Sequence, residues 1–120
     1  MIELTTRHEH ALIRVHGDLD LEVAPDLRDA LSRAVGRHRG VVVDLTDAPR
    51  LDSAGLGVLI RARGRARHSG GVVCLVGPSR FVLTVLHTMH VDGVFPIFDD
   101  CATAFDWIGS DEAAVPQAVR

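Results

Sequence analysis

Asp52 and Ser53 stand side by side in the segment "LTDAPRLDSAGLGVLI", residues 45–60, and small residues follow at once: Ala54, Gly55 and Gly57. A carboxylate next to a hydroxyl admits three kinds of chemistry. The simplest is local. Ser53 would be the N-cap of the helix that follows, its oxygen accepting from an N–H two or three residues on, worth about 1 kcal/mol. The second is nucleophilic. A serine at a strand-to-helix turn is the geometry of the hydrolase elbow, G-x-S-x-G. Gly55 fits its second glycine, but Leu51 stands in place of the first. A general base is also required, and among the histidines only His87 and His90 follow late enough to suit the usual chain order. The third is modification. A phosphate on Ser53 would add a charge of about −1.5 to −2 beside Asp52 and near Asp47. Helix N-termini tolerate such a charge, because their first N–H groups are unpaired and the dipole is positive there. The change would fall on the surface shown to a partner.

These residues need a frame. The chain has 120 residues, enough for one domain, and its 47% hydrophobic content suffices for a packed core. With few aromatics and no Tyr, that core must be aliphatic. A net charge of −3 gives no basic footprint, so nucleic acid is not an expected partner. No apolar run approaches the length of a membrane-spanning helix, and the N-terminus has no signal-peptide pattern. Cys74 and Cys101 have no CxxC partner, which suits reduced thiols and a cytoplasmic location.

Residues 2–6 and 11–16 read as strands joined by a hairpin at "RHEH". "APDLRDALSRAVGRH" carries Leu27, Ala30, Leu31, Ala34 and Val35 on one helical face, with Pro25 in the first turn. "GVVVDL" (40–45) and "VVCLV" (72–76) are continuous apolar runs, as in strands buried on both faces. A helix from about Ala54 to His68 lies between them, with Leu56, Leu59, Ile60 and Ala66 expected in its buried stripe. Ser79 can cap a third helix bearing Val82, Val85, Leu86 and Met89. "VFPIF" (94–98) reads as a short strand, placed at an edge by Pro96. Asp99 or Asp100 can cap a last helix with Ala104, Phe105 and Ile108. The expected fold is α/β: a single, mostly parallel sheet of four to five strands with four helices. A domain over 1–110 and a frayed tail over 111–120 complete it.

Other residues carry less chemistry. Arg61, Arg63, Arg65 and Arg67 spread around the second helix, as a solvated face or as a means of steering an acidic partner. His8, His10 and His16 could meet on the first hairpin, and His87 and His90 are one turn apart. Neither group offers a full zinc ligand set, so no metal is expected. Trp107 is expected to pack against the core.

Taken in order, "GDLD" (17–20), "APDLRDAL" (24–31), "VVVDLTDAPRLDSAGLGVLI" (41–60), "VVCLVGPS" (72–79) and "VFPIFDD" (94–100) resemble the STAS domain of bacterial anti-sigma factor antagonists. The resemblance runs from about Ile2 to Ile108. It implies the STAS fold and a role in binding rather than catalysis. The implied partner is an anti-sigma factor that is also a serine kinase of the histidine-kinase-like ATPase type. Binding would release a sigma factor. Phosphorylation by that kinase would fall on the serine after the motif's aspartate, Ser53 here, and would weaken binding until a phosphatase acting on phospho-Ser53 restores it. ATP belongs to the kinase, so the chain itself needs no cofactor. The resemblance puts Asp52, Ser53, Ala54 and Gly55 in the partner interface, with Asp18 and Asp20 of "GDLD" nearby. It implies a monomer or weak dimer. A STAS module of a transport or stress-sensing assembly, with no sigma factor, is the alternative. Three positions depart from the family pattern: Ala54 replaces a frequent second serine, Val23 a frequent capping Thr, and His90 a frequent Gly that ends the third helix.

Overall fold

The computed structural model describes residues 1–110; the tail expected over 111–120 lies outside the described residues. Five strands and four helices alternate after an initial hairpin. They are β1 (Ile2–Arg7), β2 (His10–His16), α1 (Ala24–Arg37), β3 (Gly40–Asp47), α2 (Ser53–His68), β4 (Val72–Val76), α3 (Arg80–Thr88), β5 (Ile97–Phe98) and α4 (Cys101–Ile108). The sheet order is β1-β2-β3-β4-β5, with β1 antiparallel to β2 and every other pairing parallel.

That order explains the layers. Strands laid down one beside the next, with crossovers of one hand, send their connecting helices to one face. Ala11, Ile13, Val15, Val41, Val43, Leu45, Val73 and Leu75 accordingly pack against Leu27, Leu31, Leu59, Ala62 and Leu86 of α1, α2 and α3. The opposite face would stand bare without α4. Ala104, Phe105 and Ile108 cover it, against Leu12, Val42, Val72, Cys74 and Val76. Alternate residues of β3 and β4 thus serve two cores, which is why both strands read as unbroken apolar runs. Burial pushes the Cys74 thiol up to about 12, so it packs as a small hydrophobe.

Several sequence expectations change in detail. β3 runs on to Asp47, which pairs with His16. β5 is cut to two residues: Pro96 has no N–H to give, although its carbonyl accepts from Leu75 N at 2.9 Å. It is the edge strand, as expected. Ile60 is 38% exposed. The buried arc of α2 is centred on Gly55, Leu59, Ala62 and Ala66, and Ile60 lies about 120° round the helix from it. Met89 falls at the C-cap of α3 and is also exposed. His16 ends β2 at the far end of the hairpin from His8 and His10, bonded to Glu3 and Asp47, so the three histidines do not converge. Trp107 packs on Phe98, with ring centroids 5.6 Å apart.

Helix ends follow capping chemistry. Ser79 accepts from Val82 N, and Asp100 from Thr103 N. Val23 gives α1 no side-chain cap. Asp20 compensates from upstream: its Oδ1 accepts from Glu22 N and Val23 N, and its carbonyl from Ala24 N. α3 ends in a Schellman motif, with Val91 N bonded to Leu86 O and His90 N to His87 O. His90 therefore takes φ +60, where a Cβ is strained. His90→Gly is expected to stabilise the protein by about 0.5–1 kcal/mol. A urea midpoint that falls instead would show that the histidine is not strained.

Candidate functional site

The site is built where the parallel pairing of β2 and β3 continues past both strand ends into their loops. Gly17 N donates to Asp47 O at 2.9 Å, Leu19 N to Arg50 O at 2.9 Å, and Asp52 N to Leu19 O at 3.1 Å. Leu19 and Leu51 form an isolated parallel bridge, and both side chains are buried. "GDLD" and "RLDS" are therefore one structural unit. A third loop joins them: Ser79 Oγ donates to Pro49 O at 2.8 Å, and the Arg50 guanidinium lies 6.0 Å from the centre of the Phe81 ring.

Asp52, not Ser53, is the N-cap of α2. Its Oδ1 accepts from Gly55 N at 3.0 Å, while Oδ2 reaches across to Leu21 N at 3.1 Å. One carboxylate thus starts the helix and holds the neighbouring loop. Ser53 becomes the first residue of α2, with its side chain exposed. The cap is supplied without it, so the hydroxyl is available to a partner.

Gly55 lies beneath, buried. A Cβ there would fall 2.6 Å from both Cγ and the carbonyl oxygen of Leu19, and 3.0 Å from Leu51 Cδ1. Its part is in the packing under the site. Of the other residues singled out from the sequence, Ala54 is half-buried and Asp18 is exposed. Asp20 is turned onto the amides before α1. Three residues at this end escaped the sequence reading. Leu21 is 73% exposed, its amide bonded to the Asp52 carboxylate, and the Arg50 guanidinium lies over the Phe81 ring. The run "DLDLE" holds two leucines, Leu19 buried and Leu21 exposed, and nothing in the sequence tells them apart.

Among the described residues, neither His87 nor His90 is hydrogen-bonded to Ser53. His87 is bonded to Asp92 at 3.0 Å, at the end of α3 remote from the Ser79–Pro49 contact. Among the described residues, no group of His, Cys, Asp and Glu converges as a metal site. A separate polar cluster sits at the ends of β2 and β3. Burial raises the Asp44 carboxyl, but bonds from the Thr46 hydroxyl and amide and from the Cys101 thiol, with Arg14 at 3.5 Å, outweigh it and hold the carboxyl below its ordinary value.

The STAS domain family matches residues 1–104. The chain belongs to the STAS domain family. A STAS-domain containing protein of Pseudomonas aeruginosa (strain UCBPP-PA14) is 33% identical over 85 residues, covering 71% of this chain and 84% of that one. Three solved structures share the fold. An anti-sigma factor antagonist from Mycobacterium paratuberculosis superposes with a TM-score of 0.82 at 21% identity, over 92% of this chain and 94% of that one. The phosphorylated form of the Bacillus cell fate determinant SpoIIAA gives 0.72 at 21%, over 88% and 97%. A sulfate transporter family protein from Wolinella succinogenes gives 0.70 at 15%, over 96% and 89%. At these identities the structures show the STAS fold alone; the site must speak for function. No helix among the described residues is long and apolar enough to cross a membrane.

Proposed function

We propose that this STAS domain is an anti-sigma factor antagonist, controlled by phosphorylation of Ser53. It binds an anti-sigma factor serine kinase, frees a sigma factor by doing so, and is itself without catalysis. The observation that carries this reading is the division of labour at Asp52–Ser53. The aspartate holds the helix and the loop, and the adjacent hydroxyl stands exposed at the first position of α2. A phosphate there meets the unpaired N–H groups of the first turn and the positive end of the helix. The fold tolerates it. What changes is the surface, where a dianion joins Asp52 and Asp18 and repels an interface that fitted the neutral serine. A phosphatase acting on phospho-Ser53 completes the cycle. Likeness to an anti-sigma factor antagonist and to a structure that exists in a phosphorylated form supports the reading.

Incubation with the cognate kinase and ATP, followed by mass spectrometry, tests it. One phosphate on Ser53 is expected, and none on Ser53→Ala. Ser53→Asp should bind the kinase about tenfold more weakly or worse, roughly the effect of one interfacial charge repulsion, with an unchanged circular dichroism spectrum. Modification of Ser53→Ala as fast as wild type would end the assignment. Likeness to a sulfate transporter family protein keeps one other reading open, a module of a transport assembly. Recovery of a membrane transporter and no kinase with the tagged chain would favour it.

A further inference from the structure

The exposed face of α2 carries charge that nothing in the domain uses. Its sixteen residues contain four arginines and a terminal histidine, with no acidic residue, in a chain whose net charge is −3. The arginines divide by role. Arg63 turns inward and donates to Val94 O at 2.8 Å. Arg61 and Arg65, one turn apart, line an open depression of about 530 Å³ with Gly64 and His68. The Arg61 guanidinium lies back along the helix over Gly57, 3.5 Å from where a Cβ would be. Among the described residues, Arg61, Arg65 and His68 belong to no ion pair.

Arg65 and His68 suit the negative end of the helix dipole, but two other features of this face work against the isolated helix. Arg61 and Arg65 repel at i, i+4, and glycines at 57 and 64 weaken the helix interior. Gly64 has open space where its Cβ would stand, so no contact within the domain requires it to be glycine. A floor opened at Gly64, with the Arg61, Arg65 and His68 side chains as a cationic rim, is suited to close approach by another backbone bearing carboxylates.

We infer that the Gly57–Arg61–Gly64–Arg65–His68 face of α2 docks an acidic helical segment of a partner protein. Charge complementarity selects that occupant. A nucleic acid is disfavoured because the whole chain is negative and the basic stripe is only about three turns long. By helical spacing Ser53 stands at the head of the same stripe, so the surface is continuous with the proposed switch. The inference does not depend on that switch, and its test leaves Ser53 untouched.

The probe is a synthetic helix with glutamates at i, i+4 on one face and alanines elsewhere, titrated into the ¹⁵N-labelled protein. Saturable, salt-sensitive amide shifts centred on residues 57–68 are expected. The Arg61→Glu/Arg65→Glu protein should bind about tenfold more weakly or worse. Gly64→Leu should also bind about tenfold more weakly, although it keeps every charge and its Tm does not fall. That second variant separates a shaped site from a merely basic one. Three results would overturn the inference: equal binding by wild type and Gly64→Leu, tighter binding of a DNA duplex at the same residues, or concentration-dependent dimers abolished by the charge swap, which would assign the face to a second copy.

Discussion

Gly55→Ala should cost the protein about 1–2 kcal/mol net, while Gly64→Ala, nine residues further along the same helix, should stabilise it by up to about 1 kcal/mol. The chemistry of the two changes is identical. Each adds a methyl group and relieves the entropy penalty of glycine in a helix, a gain of about 1 kcal/mol. The surroundings decide the sign. At Gly64 the methyl group enters open space. At Gly55 it would fall 2.6 Å from the Leu19 side chain and 2.6 Å from the Leu19 carbonyl oxygen. Leu19 is fully buried, and its carbonyl already accepts from Asp52 N. Neither atom can give way cheaply. The helix would have to lift from the β2–α1 loop, and overpacking of that kind costs about 1–3 kcal/mol or more. Urea unfolding of both variants, followed by circular dichroism, checks the pair. A Gly55→Ala midpoint at or above wild type would mean that Leu19 and α2 are less closely joined than the structure has them.

The same contact shows what the sequence conceals. Local pattern was enough for the elements. The apolar runs of β3 and β4 marked strands buried on both faces, and the spacing of Leu27, Ala30, Leu31 and Ala34 marked the buried side of α1. Ser79 and Asp100 cap as capping residues should. These signals are short-range and each residue carries its own. The joining of "GDLD" to "RLDS" is different: Leu19 and Leu51 are far apart in sequence, and neither announces the other. For the same reason the sequence offers Gly55 only as an elbow glycine or an interface residue, when it is the point where two loops touch. The choice of cap was concealed too. Aspartate and serine are comparable N-caps, so "DS" offers the helix two starts. Leu21 N decides between them. It lies where only an acceptor with a second oxygen can serve both loop and helix, and a hydroxyl has one.

That geometry makes Asp52 the residue whose loss reaches furthest. Asp52→Ala removes the bond to Gly55 N and the bond to Leu21 N together. The lost cap is worth about 1 kcal/mol, and the second charge-assisted bond adds up to about 1 kcal/mol at this exposed position. A total near 2 kcal/mol is expected. Asp52→Asn separates the two. Its amide oxygen still caps α2, but the amide nitrogen cannot accept from Leu21 N. About half of the lost stability, the cap's share of about 1 kcal/mol, should return in the asparagine variant while the loop stays untied. Hydrogen exchange reads this directly: the Leu21 amide should exchange faster in both variants, and the Gly55 amide faster only in the alanine variant. Unaltered protection of Leu21 in Asp52→Asn would show that the carboxylate does not hold the loop. If the proposed switch is right, the asparagine variant also presents Ser53 on a correctly started helix beside a loose loop. Its phosphorylation should then slow relative to wild type, through a loss of partner fit rather than of fold.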